Sequence, residues 1–170
     1  MTLQRGTGGK TLRERSAPSD DQRPVVTIID DDPMMRTSLK MALEDLYKIN
    51  LCSNGAEGVR IVDEHTWVVI LDIKMADADG FTVYNDLRKK DQDLPIIFHS
   101  AYQNLKDPYE IINDYRPFGY LTKGDDFSKL LKVVAQAVEQ RRRQYHHRGL
   151  ATKLQSVQSQ METLRKQLGG

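Results

Sequence analysis

Three consecutive aspartates carry the clearest chemical signal in this sequence. Asp30, Asp31 and Asp32 directly follow the apolar run of residues 25–29. Carboxylates held this close raise one another's pKa and repel, so a chain places them together mainly where a cation binds or a positive group approaches. The sequence therefore predicts a site for a cation or an ammonium group at the point where a buried strand ends.

Three further apolar runs also end in groups that could serve such a site. They are residues 67–71, followed by Asp72; residues 94–99, followed by Ser100; and residues 118–122, followed by Lys123. Near-continuous apolar runs that alternate with helix-period segments are typical of parallel strands buried on both faces. Ligands of such sheets bind beyond the carboxyl ends of the strands. We therefore expect these side chains to meet at one edge of a sheet.

This set of groups, in this chain order, resembles the receiver domain of bacterial two-component response regulators. The resemblance covers roughly residues 24 to 138. It implies an α/β fold with a doubly wound, flavodoxin-like parallel sheet of five strands in the order 2-1-3-4-5. The apolar stretch at residues 49–52 is the expected second strand.

The resemblance also implies a role for each strand-end group. The implied site consists of Asp30 and Asp31 as an acidic pair that holds Mg²⁺, Asp72 as the phosphoacceptor, Ser100 as the switch hydroxyl, Tyr120 as the switch aromatic residue, and Lys123 as the lysine that pairs with the phosphoryl group. The implied phosphodonor is a histidine kinase or a phosphotransfer protein. The protein would then catalyse its own phosphoryl transfer and slow dephosphorylation, rather than act as a dedicated enzyme.

Phosphoryl chemistry accounts for these residue types independently. A carboxylate that attacks a phosphohistidine gains a dianionic group beside existing negative charge, so a cation must bridge carboxylate and phosphoryl oxygens. Magnesium keeps several waters and takes one or two carboxylates. We expect Asp31 and Asp72 as direct ligands, Asp30 through water, and the backbone carbonyl of Lys74 as a further ligand. Lys123 neutralises the remaining charge.

The chain departs from the family pattern at three positions near this site. Lys123 is followed by Gly124 where the family usually has proline after a cis bond, Ala76 stands where proline is frequent, and Lys74 lies two residues after the acceptor. A cis bond before glycine costs about 2.5 to 4 kcal/mol, so we expect a trans bond and a looser loop that aims Lys123 less well. Proline at position 124 would be expected to restrain that loop.

The helices are expected between the strands. Asp32 before Pro33 is a typical helix start, so we expect Asp32 to be a cap. Five helical segments are predicted: from Pro33 with an apolar face that includes Leu39, Leu43 and Leu46; around residues 56–62; around residues 81–87; near residues 107–115; and after Asp126 with a face that includes Phe127, Leu130 and Val134.

Composition places the chain among ordinary soluble proteins. Its 170 residues are 39% hydrophobic with a net charge of +1, and no apolar run approaches the roughly 18 residues of a membrane span. Residues 1–23 contain no apolar signal segment and are expected to form a disordered arm. The single Cys52 cannot form an intrachain disulfide. These features favour a cytoplasmic protein.

A heptad pattern follows the predicted domain. Its apolar residues are Leu150, Leu154, Val157, Met161, Leu164 and Leu168, at spacings of 4, 3, 4, 3 and 4. This pattern predicts a coiled coil at residues 150–168 that pairs with a second copy or a partner helix. We expect a homodimer, most simply parallel, while antiparallel pairing, a foreign helix, or a helix folded back on its own domain remain alternatives.

A basic segment at residues 139–149 joins the two parts. Residues 139–170 hold 7 basic and 2 acidic residues, whereas residues 24–138 hold 13 and 19. The segment is expected to be a helical linker, either solvated or in contact with an acidic protein surface. Nucleic-acid binding is the less favoured alternative because no base-reading motif is present. The apolar residues before this segment are not in phase with those after it. This mismatch implies either a skip in the heptad phase or a bend of the helix at Gly149.

Two functional classes fit the sequence. The first is a phosphoaccepting receiver that signals through its coiled coil. The second is a docking module on a receiver fold, with phosphorylation weak or absent, as the altered loop after Lys123 permits. Phosphate uptake that depends on Asp72 distinguishes the two classes.

Overall fold

A single five-stranded sheet organises the protein. The computed structural model describes residues 23–101 and 108–168, except for the side chains at 108, 109 and 168. The strands are β1 Val25–Ile29, β2 Lys48–Cys52, β3 Thr66–Leu71, β4 Ile96–Ser100 and β5 Gly119–Thr122. All pairs are parallel and the order is β2-β1-β3-β4-β5, which confirms the predicted doubly wound topology. The predicted disordered arm at residues 1–23 falls almost wholly outside the described residues.

In the described part of the chain, five helices cover the two faces of this sheet. They are α1 Pro33–Leu43, α2 Gly55–Ile61, α3 Gly80–Lys90, α4 Pro108–Tyr115 and α5 Phe127–Leu168. Asp32 caps α1 as predicted, because its carboxylate accepts hydrogen bonds from the backbone N–H groups of Met34 and Met35. Asp79 caps α3 in the same way, through the N–H of Phe81 at 3.1 Å.

The core is divided by the sheet into two layers, because alternate residues of each strand face opposite sides. Ile28 lies in the layer under α1 and α5, whereas Ile29 lies in the layer under α2, α3 and α4. Leu39, Leu43, Leu130 and Val134 are buried as expected.

The prediction that Leu46 and Phe127 belong to the buried faces of their helices is wrong. Leu46 is 59% exposed because α1 ends at Leu43, and Phe127 is 44% exposed at the first residue of α5.

Helix α5 continues far beyond the sheet. It runs for 42 residues without interruption at Gly149, so the predicted bend is not observed. Beyond that point the apolar positions of the heptad are exposed, from Leu150 at 52% to Leu164 at 56%. None of the helices in the described ranges is long and apolar enough to span a membrane.

The basic segment at the centre of α5 contacts the body of the protein. Arg141 is buried and pairs with Asp91, while Arg148 pairs with Asp93 at 2.7 Å. Of the readings left open by the sequence, these contacts favour an acidic protein surface, which is provided by the same chain. The charge of these two arginines is therefore already balanced within the molecule.

Candidate functional site

The acidic residues predicted to hold a cation converge at the carboxyl edge of the sheet. Asp30, Asp31 and Asp72 each place one carboxylate oxygen within 4.8 Å of the others. They converge because β1 and β3 are neighbours, with Ile29 opposite Leu71, so the residues that follow both strands emerge side by side. Asp30 and Asp72 are buried and Asp31 is half-buried. Three anionic groups are thus concentrated in a largely desolvated corner.

Lys123 reaches this corner from the end of β5. Its Nζ donates to Oδ2 of Asp72 at 2.7 Å and lies 2.9 Å from Oδ2 of Asp30. The expected poor aim of Lys123 is therefore not observed. One ammonium group serves two buried carboxylates, which leaves the cluster with net negative charge.

Burial and hydrogen bonding act in opposite directions on the pKa of Asp72 and on the pKa of Lys123. Desolvation raises the pKa of Asp72 above its ordinary value, and the hydrogen bonds from Lys123 and from the N–H of Lys74 only partly offset it. Burial alone would lower the pKa of Lys123, but its hydrogen bonds to Asp72 and Asp30 outweigh burial and raise it. The lysine is therefore charged at neutral pH, and Asp72 is a carboxylate that a further cation would stabilise.

The loop after β3 is tied to the acidic cluster by backbone donors. The N–H of Ala76 donates to Oδ2 of Asp31 at 2.7 Å, and the N–H of Lys74 donates to Oδ1 of Asp72 at 3.1 Å. Proline at position 76 could not make the first of these bonds because it has no N–H. Ala76 therefore lacks the backbone restraint of a proline, but it provides an N–H group that ties this loop to Asp31.

The donor set fits a divalent cation of the magnesium type. Carboxylate oxygens are the ligands that Mg²⁺ and Ca²⁺ prefer, and three of them lie close enough to share one ion. Oδ2 of Asp30 is buried and has no neighbour of opposite charge besides Lys123 among the residues described. The carbonyl of Lys74 stays a predicted ligand, because the contact that the structure gives between Lys74 and the cluster is through its N–H.

Ser100 offers an unused hydrogen-bond donor at the same edge. It is the last residue of β4, is fully buried, and lies two residues beyond Phe98, which pairs with Leu71. Its Oγ has no hydrogen-bond partner among the described residues. Leaving a buried hydroxyl unpaired costs about 1 to 3 kcal/mol, and an oxygen atom of a bound ligand would remove that cost.

Tyr120 lies one strand further along. It is half-buried on β5, pairs with Phe98, and packs against the core layer under α3 and α4. The loop that follows Ser100 includes residues 102–107, which lie outside the described residues. The switch roles of Ser100 and Tyr120 therefore stay predictions.

The turn after Lys123 is closed without proline. The Lys123–Gly124 bond is trans as predicted, and Gly124 has a φ of 107°, a conformation that favours glycine. The carboxylate of Asp125 accepts from the N–H of Thr122 at 3.1 Å and pairs with Lys129 at 2.8 Å. Side-chain bonds thus shape this turn.

His99 is a polar residue near the site that the sequence analysis did not single out. Its side chain is buried, its Nδ1 has no partner in the described part of the chain, and it lines a cavity of about 430 Å³ together with Thr122 and Gly124. Burial, followed by the charge of Lys123, lowers the pKa of His99 to about 4. The sequence signal that could have identified this residue is a histidine directly after the apolar residues of β4.

Comparisons with known proteins agree with this geometry. The family profile described as the response regulator receiver domain matches residues 26–135. The transcriptional regulatory protein GlrR of Escherichia coli is 29% identical over 115 residues, which are 66% of this chain and 26% of GlrR. The nitrate/nitrite response regulator protein NarL of Escherichia coli is 27% identical over 70% of this chain and 56% of NarL. The chain thus spans only part of both relatives.

Solved structures show the same fold. The response regulator TrrA of Thermotoga maritima, solved in complex with Mg²⁺ and BeF, is 29% identical, with a TM-score of 0.58 over 66% of this chain and 97% of TrrA. A structure described as adenylate cyclase from Rhodopirellula baltica has a TM-score of 0.69 at 20% identity, over 77% of this chain and 98% of that chain. The latter likeness concerns the fold alone. The strand-end chemistry and the family match together show that this chain belongs to the response regulator receiver domain family.

Proposed function

We propose that this protein accepts a phosphoryl group on Asp72 from a phosphohistidine donor and transmits that event through its C-terminal helix. One observation carries the proposal: the ammonium group of Lys123 joins Asp72 to Asp30 in a cluster that also includes Asp31. The donor would be a histidine kinase or a phosphotransfer protein. The solved complex of TrrA with Mg²⁺ and BeF supports the same chemistry here.

The transfer step is a displacement at phosphorus. A carboxylate oxygen of Asp72 forms a P–O bond while the P–N bond of the phosphohistidine breaks, and the electron pair of that bond returns to the imidazole. Mg²⁺, held by Asp30, Asp31 and Asp72 with the carbonyl of Lys74, would neutralise phosphoryl charge and align the reacting groups. Lys123 already contacts the acceptor, so its flexible side chain can follow the charge onto the phosphoryl oxygens.

The hydroxyl of Ser100, which has no hydrogen-bond partner among the described residues, supplies the proposed response. It gains a partner when a phosphoryl oxygen is present, and Tyr120 on the neighbouring strand would adjust to the new position of the loop that follows Ser100. Both residues act after transfer. Their substitution should therefore change signalling more than phosphate uptake.

Self-association is the output that we propose for residues 150–168. The apolar positions from Leu150 to Leu164 face solvent along one seam, and a second copy of the same helix offers an identical seam in register. Accordingly, we divide the chain into an arm at residues 1–23, a receiver at 24–138, a basic segment at 139–149 and a coiled coil at 150–168. The protein would act in the cytoplasm as a homodimer.

Phosphate uptake tests the proposed function. Intact-mass spectrometry should show one added phosphoryl group when the protein is incubated with Mg²⁺ and a small phosphodonor such as phosphoramidate. Asp72→Asn should abolish the addition, whereas Asp77→Asn, which changes an exposed acid in the same loop, should retain it. Equal labelling of Asp72→Asn and the wild type would contradict the assignment of Asp72 as the acceptor. An absence of labelling in both proteins would favour the alternative of a phosphorylation-independent docking module.

A further inference from the structure

A set of contacts holds the middle of α5 against the receiver, at the end of the sheet opposite the acidic cluster. We call these contacts the α5 clamp. They join Arg141, Tyr145 and Arg148 of α5 to Trp67, Asp91 and Asp93 of the receiver. Residues at spacings of four and three lie on one face of a helix, so the three α5 residues present a single surface to the receiver.

Arg141 is the buried centre of the clamp. Its side chain is 1% exposed, its Nη2 donates to Oδ2 of Asp91, and its guanidinium group lies 4.8 Å from the ring centroid of Tyr145. Its Nε and Nη1 have no hydrogen-bond partner within the described ranges. The compensation of the buried charge of Arg141 therefore depends on the position of Asp91.

Tyr145 and Arg148 extend the contact on both sides. The ring of Tyr145 packs on Trp67 with centroids 5.3 Å apart, and its hydroxyl donates to the backbone carbonyl of Glu64. Arg148 donates to Asp93 at 2.7 Å and lies 3.8 Å from an oxygen of Asp91. The last clamp residue is two positions before Leu150, the first residue of the seam.

Two rigid elements run from the clamp to the phosphoacceptor. Strand β3 has Trp67 near its start and Asp72 directly after its end, a distance of about 17 Å at 3.3 Å per residue. Helix α3 begins at Gly80, beside Asp72, and its C-cap is Asp91. The anion that compensates Arg141 is thus attached to the helix that starts at the phosphoacceptor loop.

The contact between α3 and the phosphoacceptor has no free space. A Cβ atom at Gly80 would lie 2.4 Å from the backbone oxygen of Asp72 and 2.5 Å from Cα of Ile73. The N–H of Gly80 also donates to the carbonyl of Ile73 at 2.9 Å. Close-packed interiors transmit displacement instead of absorbing it, so a movement of the backbone at Asp72 must move the start of α3.

We propose that the α5 clamp couples the state of Asp72 to association of the seam at residues 150–168. A shift of α3 changes the position of Asp91 relative to Arg141, and therefore the angle at which α5 leaves the receiver. This proposal rests on the proposed function, because it assumes both phosphoryl binding at Asp72 and self-association of the seam. The proposed response at Ser100 and Tyr120 is thereby supplemented by a second route, which runs through α3.

The clamp can be removed without touching the acidic cluster. Arg141→Met removes the buried charge, and Arg143→Met is the matched control, since Arg143 is exposed and pairs with Glu139 at 3.3 Å. Tyr145→Leu is a second clamp variant that retains an apolar contact with Trp67, and it decides the question if Arg141→Met does not fold. Circular dichroism identifies the folded variants.

Two readouts on the full chain separate the inference from the proposed function. Calorimetry with Mg²⁺ and beryllofluoride measures binding at Asp72, and sedimentation across a dilution series measures the dimer dissociation constant with and without beryllofluoride. In the wild type and in Arg143→Met we expect beryllofluoride to change that constant about fivefold or more, a typical size for allosteric coupling. In the clamp variants beryllofluoride should still bind, while the change falls below about twofold.

Each other outcome contradicts a specific claim. Clamp variants that retain the wild-type change overturn the inference and leave the proposed function intact. A wild type that binds beryllofluoride and dimerises, but shows no change in dissociation constant, also overturns it. Failure of beryllofluoride to bind contradicts the phosphoacceptor role. A wild type that stays monomeric contradicts the proposed coiled-coil dimer and the coupling together.

Discussion

The ammonium group of Lys123 lies 2.7 Å from an oxygen of Asp72 and 2.9 Å from an oxygen of Asp30. Both carboxylates are 2% exposed at the side chain, and Lys123 is the cation that pairs with both of them among the described residues. The same cluster that would bind Mg²⁺ is therefore held together by a group that must release part of its contact during phosphoryl transfer.

Removal of Lys123 should destabilise the metal-free protein and increase its response to Mg²⁺. Breaking a buried ion pair from one side costs about 3 kcal/mol or more, because the remaining charge is uncompensated. Urea unfolding of Lys123→Met should show this loss without Mg²⁺ and a partial recovery with it. Lys129→Met is the control, because its pair with Asp125 is exposed. Equal stability of Lys123→Met and the wild type without Mg²⁺ would contradict the prediction.

Mg²⁺ should stabilise the wild type through the acidic cluster. At a free concentration of 100 times the dissociation constant, binding to the folded state adds about 2.7 kcal/mol to the free energy of unfolding. Asp31→Asn should lose most of this gain, since it removes one of the three carboxylates. The control Asp77→Asn should retain it. A gain in Asp31→Asn as large as that of the wild type, at the same Mg²⁺ concentration, would argue against this ligand.

Acid should release the α5 clamp. Partial burial opposes ionisation of Asp91, but hydrogen bonds from Arg141 and from the N–H of Asp93 outweigh burial and lower its pKa below the ordinary value of 3.8. Because the folded-state pKa is depressed, the stabilisation is present above the unfolded pKa and is lost as pH falls through the folded pKa.

Urea unfolding below pH 4 tests this window. The stability difference between the wild type and Asp91→Asn should be about 3 kcal/mol at pH 6 and should shrink as the pH is lowered. Asp93→Asn changes an acid that is 57% exposed and should produce a much smaller difference. A difference for Asp91→Asn that is independent of pH would contradict the assignment.

Two glycines should respond in opposite directions to alanine. Gly124 has a φ of 107°, so Gly124→Ala should destabilise the protein by about 1 kcal/mol. Gly124→Pro should be worse, because proline requires a φ near −65°. The structure thus reverses the expectation that proline would restrain this turn. Gly149 lies within α5 with open space around it, so Gly149→Ala should stabilise by about 0.5 to 1 kcal/mol. Thermal unfolding of both variants checks the signs.

A charge in the seam should prevent self-association. Val157 is a central seam position and is 50% exposed, so Val157→Asp should raise the dimer dissociation constant at least tenfold by placing like charges in the interface. Ser156→Asp introduces the same charge beside the seam and serves as the control. Light scattering on both variants gives the comparison. Equal dimerisation of the two variants would indicate that the seam is not the interface.

The sequence was sufficient for the fold and for the position of the site. Each buried strand is a nearly continuous apolar run, and the group at its end follows directly in the chain. Asp30, Asp72 and Ser100 therefore needed only the assumption of a parallel sheet to be placed together. The cap at Asp32 could also be predicted from neighbouring residues alone, because an acidic residue directly before Pro33 is a typical helix start.

The features that the sequence did not predict depend on contacts between distant segments. Arg141 and Asp91 are 50 residues apart, and no local pattern identifies one as the partner of the other. The same applies to the bond from Ala76 to Asp31, where absence of proline was visible but the new donor was not. Of the two alternatives at Gly149, a skipped phase or a bend, the bend is not observed, because the helix on both sides overrides a weak local preference of glycine.

Chemical trapping of Asp72 is the most direct test of whether this residue carries the phosphoryl group. Borohydride reduces an acyl phosphate of aspartate to homoserine and leaves free carboxylates unchanged. After incubation with Mg²⁺ and phosphoramidate, followed by borohydride, peptide mass spectrometry should find homoserine at position 72 and aspartate at positions 30, 31 and 77. Homoserine at another position, or at none while the intact protein gains a phosphoryl group, would contradict the account.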